Sequence, residues 1–146
     1  NRNIDRIQGL MRDQGHWGGI HAVYNIYNCT RLVEFREWAH VRGLTVLWQN
    51  LFQPECLDPM QHGPRVRELA LEQVSLLLDQ CRDILAPSEQ QFFGHARENL
   101  QRNPRDPEKI SSDFAQHIRD NEMRWHKDKL GQFEQLWPEL THLMHN

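Results

Sequence analysis

The chain has 146 residues, of which 25% are charged and 38% hydrophobic, and its formal net charge is −3. This length suits one domain, the charge gives no basic footprint for nucleic acid, and no run of about 18 apolar residues is present to span a membrane. Three cysteines without CxxC or CxxxCxxC spacing exclude a metal site built from cysteines alone, and their odd number argues against a disulfide framework.

The N-terminal region predicts a section of a longer protein. The chain starts at Asn1 rather than at methionine, and the helical pattern over residues 2–13 has no start signal of its own. No secretory signal pattern is visible, and the unpaired cysteines favour a reducing, cytoplasmic compartment.

Residues 20–27 and 44–50 predict two strands, because both are rich in β-branched, aromatic and aliphatic side chains. Apolar residues at helical spacing lie between them, and Gly43 follows where a helix would end in the left-handed conformation. This order is typical of a βαβ unit with parallel strands. Residues 44–48 of the second strand are almost wholly apolar, which is typical of a strand that is buried on both faces.

The rest of the chain predicts helices. A loop over residues 51–63 leads to Pro64, and an apolar stripe at helical spacing then continues to Leu85 before Pro87. Ser88 is the expected cap of the next helix. We therefore divide the chain into a βα unit over 1–63 and a helical segment over 64–146. Two strands are too few for an independent sheet, so the expected fold is α/β, a partial (β/α) barrel followed by a helical C-terminal segment.

Several short runs resemble the C-terminal half of radical SAM proteins of the twitch-domain type. They cover residues 22–28 (AVYNIYN), 32–38 (LVEFREW), 43–46 (GLTV) and 53–57 (QPECL). The closing segment from Phe114, with Asp120, Arg124 and the WPEL run at 137–140, is similar to the end of the same proteins. The motifs are short, although together they span most of the chain.

The resemblance implies the late strands of a radical SAM barrel. The parent enzyme would cleave S-adenosylmethionine to a 5′-deoxyadenosyl radical and act on a substrate that the sequence does not identify, a peptide or protein among the options. The CxxxCxxC motif that holds the [4Fe–4S] cluster is absent here, so it is expected upstream, in a missing N-terminal barrel half. This chain alone is then expected to be inactive, and no catalytic or metal-ligating residue is assigned within it.

The same resemblance implies cofactor contacts at the carboxyl ends of the two strands. The matching residues are Asn25, Asn28, Asn50 and Gln53. Their side-chain amides offer both a donor and an acceptor to a ribose or adenine edge. The alternatives are structural: Asn28 as a helix cap, Asn25 as a turn residue, and Gln53 in an exposed loop.

Other candidate sites have weaker patterns. Cys56 and His62 could form a thiol–imidazole pair, although a spacing of six residues across a proline-containing loop does not imply contact. Glu55 and Asp58 could form a carboxylate pair for acid–base chemistry, as in a hydrolase fragment. His142 and His145 lie three apart on a predicted helix, without a third metal ligand at a fitting spacing.

The main alternative to the radical SAM interpretation is a non-catalytic α/β module that binds a partner protein through its aromatic-rich helices. Such a module would fold alone and bind no adenosine compound. A section of a larger sheet would instead expose unpaired strand edges and self-associate when isolated.

Overall fold

A computed structural model describes residues 6, 9, 18–51, 53–125 and 132–145, and of residues 122–125 it describes the backbone alone. Within this part, the chain forms a small parallel sheet with many helices, which confirms the predicted α/β class. The helix predicted over 2–13 falls outside the described residues except at positions 6 and 9, which are both helical.

The predicted βαβ unit is confirmed. Strand β1 (Gly19–Tyr24) and strand β2 (Thr45–Asn50) pair in parallel, and helix α1 (Leu32–Val41) connects them. The register places Tyr24 opposite Asn50 at the carboxyl ends. Gly43 has a φ of 63°, the left-handed conformation expected after the helix. Strand β1 ends at Tyr24 rather than at residue 27, because residues 25–29 form a turn.

The sheet has one covered face and one open face. Ala22, Tyr24 and Val46 are buried against the helices, whereas Leu47 on the opposite face is 55% exposed. The prediction that β2 is buried on both faces is therefore wrong for the described part of the chain. The described residues contain two strands, so the barrel is not confirmed.

The helical segment contains α2 (Pro64–Gln80), α3 (Pro87–Leu100), α4 (Pro107–Trp125) and the short α5 (Gln132–Leu136). A proline begins each of the first three, as expected for a residue that lacks an N–H. Short 3₁₀ turns cover Glu55–Leu57, Pro59–Gln61, Arg82–Ile84 and Pro138–Met144. The single helix that the apolar stripe predicted as far as Leu85 therefore ends at Gln80, and a 3₁₀ turn follows. Ser88 is not a cap, since α3 begins one residue earlier.

Two hydrophobic clusters hold these elements together. The larger one joins the end of β1 to α2, α3, α4 and the C-terminal segment, with Phe93, Phe114 and Leu140 fully buried. The smaller one joins α1 to the covered face of the sheet through Ala39, Leu44 and Val46. Cys81 lies in the larger cluster, which confirms its predicted core position. None of the helices described is both long and apolar enough to cross a membrane.

Candidate functional site

Two of the predicted site residues, Asn25 and Asn28, close the turn that follows β1. Their Nδ2 atoms both donate to the Val23 carbonyl, at 3.1 and 2.8 Å. Asn28 Oδ1 accepts from the Asn25 N–H at 3.0 Å, and Asn25 Oδ1 accepts from the Tyr27 N–H at 2.9 Å. The turn role considered for Asn25 is confirmed. Each amide retains one N–H and one lone pair for a further partner.

The helix-cap alternative for Asn28 is wrong. Helix α1 begins at Leu32, its cap position is Arg31, and no side chain hydrogen-bonds there. Asn28 instead lies earlier in the turn, where its backbone carbonyl accepts from the Arg31 N–H at 3.0 Å.

The other two predicted site residues lie at the end of the sheet and after it: Asn50 is the last residue of β2, and Gln53 follows in the loop. Asn50 is exposed at the end of β2 and lines a groove. Gln53 is exposed in the following loop, which is the structural alternative given above for this residue. It is not among the described residues that line the groove. The chain thus brings Asn25 and Asn28 together at one strand end, while Asn50 ends the neighbouring strand.

The groove beside Asn50 is polar and has a volume of about 510 Å³. It lies where the carboxyl end of β2 meets the connection between α3 and α4. Ligands of open parallel sheets bind at this edge, beyond the carboxyl ends of the strands. The residues with polar side chains that line it are Asn50, Asp58, Gln61, Asn99, Arg102, Asn103 and Arg105.

Asp58 is half-buried in this groove and both of its carboxylate oxygens are engaged. Oδ1 accepts from the Met60 N–H at 2.9 Å, which caps a 3₁₀ turn, and Oδ2 accepts from Gln61 Nε2 at 3.5 Å. Burial raises the pKa of Asp58, and these hydrogen bonds partly offset that effect. The Tyr24 hydroxyl, which is buried without a hydrogen-bond partner, lies within electrostatic range of Asp58.

A second pocket of about 380 Å³ adjoins the groove and shares Gln61 and Arg105 with it. Glu55 lines this second pocket from an exposed position, so the predicted carboxylates Glu55 and Asp58 face different cavities. Lys109 also lines it and forms an ion pair with Asp113. Glu55 adds the smallest of the effects that raise the pKa of Asp58, and the two carboxylates line no common cavity among the described residues.

Cys56 and His62 do not form a thiol–imidazole pair. His62 Nε2 donates to the Cys56 backbone carbonyl at 2.8 Å instead of contacting the thiol. All three cysteines are buried, and burial raises the pKa of each thiol, including that of Cys29. They therefore behave as small core residues rather than as nucleophiles.

His62 is fully buried and its other ring nitrogen, Nδ1, has no hydrogen-bond partner. Its ring packs edge-on against Phe114, with the centroids 5.6 Å apart, and burial lowers its pKa to about 4. His142 Nδ1 is likewise buried without a partner, and burial also lowers the pKa of His142. Within the described residues, no group of three potential ligands is placed to hold a metal ion.

A buried charged network was missed by the sequence interpretation. Arg36 Nε donates to both oxygens of Glu89, at 3.0 and 3.2 Å, and its Nη2 donates to the Ile84 carbonyl. Glu89 also accepts from Trp48 Nε1 at 3.1 Å and from the Ala86 N–H at 3.0 Å. This network joins α1, β2 and α3. The sequence gives one local indication of this network: Glu89 is the third residue of α3, a position where glutamate commonly caps the start of a helix.

The C-terminal segment covers the turn after β1. Trp137 Nε1 donates to the Tyr27 carbonyl at 2.8 Å, and Thr30 Oγ1 donates to Glu139 at 2.7 Å. Tyr27 packs against Phe114, Phe133 and Trp137. The C-terminal segment therefore packs against the turn that Asn25 and Asn28 close.

No known protein family, curated protein or solved structure matches this chain. The assignment of a function therefore depends on the residues and their geometry.

Proposed function

We propose that this chain is the C-terminal section of a radical SAM enzyme of the twitch-domain type, in which it forms the far wall of the barrel and a cover over the substrate. The observation that carries the proposal is the two-stranded parallel sheet, exposed on one face, with a polar groove at its carboxyl edge. Short motifs that resemble those proteins, at residues 22–28, 53–57 and 137–140, are the reason for choosing this family.

The exposed face and edges of the sheet support a larger parent structure. Parallel sheets are normally covered on both faces. Here each described strand pairs only with the other, and Leu47 and His21 lie exposed on the open face. Further strands beside β1 or β2 would satisfy the free backbone groups, as the missing barrel half is expected to do.

The residues of this chain do not fit the iron–sulfur cluster. Its cysteines lie 27 and 25 residues apart in sequence, all are buried, and burial raises the pKa of each thiol. A cluster of this family would cleave S-adenosylmethionine reductively from outside this chain. What this chain would contribute is binding, orientation and exclusion of water.

Those contributions map onto separate parts of the structure. The turn held by Asn25 and Asn28 shapes the end of β1 and keeps free amide groups for an adenosine contact. Asn50 and Asp58 line the adjoining groove, which suits the substrate. The segment around Trp137 covers the turn and would exclude water from the reacting groups.

The test uses this chain in continuity with the coding sequence that precedes it. The protein is reconstituted anaerobically with iron and sulfide, reduced, and supplied with S-adenosylmethionine. Release of 5′-deoxyadenosine is expected, and it should disappear when the upstream cluster cysteines are replaced by alanine. A folded, cluster-loaded protein that releases none would overturn the proposal.

A second function is favoured by one observation, the exposed apolar side chain of Leu47 on the open sheet face. The chain would then be a non-catalytic module that binds a partner at this face. A binding measurement with S-adenosylmethionine distinguishes the two proposed functions, with this chain expressed together with the coding sequence that precedes it. A radical SAM enzyme should bind this compound, and an interaction module should not.

A further inference from the structure

Two arginines that have no acidic partner in the described part of the chain line the groove at the end of β2. Arg102 and Arg105 line it from the connection between α3 and α4, and both are exposed. The backbone carbonyl of Arg102 accepts from Arg67 Nη1, which ties this connection to α2. The side chains of both arginines are exposed.

Two carboxylates close to these arginines already accept hydrogen bonds from other groups. Asp58 accepts from the Met60 N–H and from Gln61, and the Asp106 carboxylate accepts from the Lys109 N–H at 3.1 Å. Glu55 is exposed and lines only the neighbouring pocket. The groove is lined by two arginines and one carboxylate, Asp58, so the charge of its lining is positive. A guanidinium fork matches the oxygens of phosphate and carboxylate groups, and the lining therefore favours an anion.

Amide side chains make up much of the remaining wall. Asn50 and Asn99 line the groove from β2 and α3, and Asn103 lines it between the two arginines in sequence. Each amide offers donors and acceptors, which suits a ligand with several hydroxyl groups rather than an apolar one. The volume of about 510 Å³ lies in the range of roughly 300–1,000 Å³ that is typical of small-molecule sites.

We propose that this groove binds a polyhydroxylated compound with a phosphate or carboxylate group, with the anion on Arg102 and Arg105 and the hydroxyl groups on Asn50 and Asn99. This inference rests on the proposed function only in calling the ligand a substrate. Binding itself needs neither the cluster nor S-adenosylmethionine.

The test is an NMR titration of the 146-residue chain with three probes of similar size: glucose 6-phosphate, gluconate and neutral glucose. We expect saturable shifts of the groove side-chain amides with one or both anions and much weaker shifts with glucose. Response to glucose 6-phosphate alone identifies a phosphate, and response to gluconate alone a carboxylate. The double variant R102Q/R105Q should bind the anion at least about tenfold more weakly.

Two further variants sharpen the result. Arg119→Gln removes an exposed arginine on α4, outside the groove, and should leave the affinity unchanged. Asn99→Ala should weaken the binding of glucose 6-phosphate but not that of inorganic phosphate, because the substitution removes only a contact to a sugar hydroxyl group.

Four results would overturn the inference: no saturable shift with either anion, equal binding of glucose, full affinity in R102Q/R105Q, or the same shifts with sodium chloride at equal ionic strength. Failure here leaves the proposed function intact, because no cluster chemistry is measured. Conversely, absence of 5′-deoxyadenosine release leaves the binding result intact.

Discussion

Glu89 is only 2% exposed, yet it accepts hydrogen bonds from Arg36, Trp48 and the Ala86 N–H. Arg36 lies on α1, Trp48 lies on β2, and Ala86 directly precedes the helix of Glu89 itself. Arg36 is 53 residues away in sequence. A buried charge is tolerated when its hydrogen bonds are made, and it becomes destabilising when one partner is removed. Glu89 and Arg36 are thus expected to matter for stability rather than for chemistry.

Replacement of Glu89 by alanine should lower the free energy of unfolding by about 3–5 kcal/mol, because it leaves the Arg36 guanidinium buried without its carboxylate. Urea denaturation measures this loss. Glu72→Ala, at an exposed position of α2, is the matched control and should change the free energy of unfolding by less than about 0.5 kcal/mol. A double variant with Arg36→Met and Glu89→Leu should recover part of the loss. Equal stability of Glu89→Ala and the control would contradict this role.

His62 predicts a pH dependence of stability. Burial lowers its pKa from 6.5 to about 4 in the folded chain, so between these values the unfolded chain binds the extra proton. Stability is then fully present above about pH 6.5 and is lost as the pH falls towards about 4, by up to about 3 kcal/mol. The lowered pKa of His142 acts in the same direction.

The variant His62→Gln tests this dependence because glutamine can still donate to the Cys56 carbonyl but does not titrate. Its unfolding free energy should fall less between pH 7 and pH 4 than that of the parent chain. His40→Gln on the exposed side of α1 serves as the control. A pH profile that is identical in His62→Gln and the parent would show that His62 is not responsible.

At the scale of elements, the local signals in the sequence predicted the βαβ unit well. Gly43 and the apolar run after it mark the end of α1 and the start of β2. The end of β1 was misplaced, because Asn25 and Asn28 form hydrogen bonds that outweigh the strand propensity of Ile26 and Tyr27. Turn chemistry of this kind depends on two residues acting together, which a propensity pattern does not show.

The C-terminal segment offers the clearest prediction at this scale. Trp137→Phe keeps the aromatic packing but removes the N–H that donates to the Tyr27 carbonyl, at a cost of about 1 kcal/mol. Hydrogen exchange should become faster for residues 133–144 and stay unchanged in α2. Leu136→Ala is the control, since that side chain is 47% exposed. Unchanged exchange in Trp137→Phe would mean that this bond does not hold the segment in place.

At the scale of the whole molecule, the described residues form a parallel sheet of two strands with one exposed face. The sequence predicted two strands and a polar carboxyl edge, and the structure has both. It gave no indication of Arg102 and Arg105 as groove residues, because they come from the connection between α3 and α4, far from the strands in sequence. Nor could it predict the open face, since the apolar composition of β2 is typical of a strand covered on both sides.

The open face predicts self-association of the isolated chain. Leu47→Lys should reduce it, because this substitution places a charge on the open face of β2. Sedimentation velocity over a range of concentrations measures the effect. Val41→Lys is the matched control, since Val41 is 81% exposed on α1, the helix that packs against the other, covered face of the sheet. A monomeric parent chain, or equal effects of the two variants, would contradict the idea of an incomplete sheet.

The central claim is that this chain completes a radical SAM barrel that begins upstream. The most direct measurement is the DNA sequence that precedes the codon for Asn1. We predict a continuous reading frame that encodes a strand and a CxxxCxxC motif. A start codon at or just before Asn1 would contradict it, and the chain would then be a free-standing module.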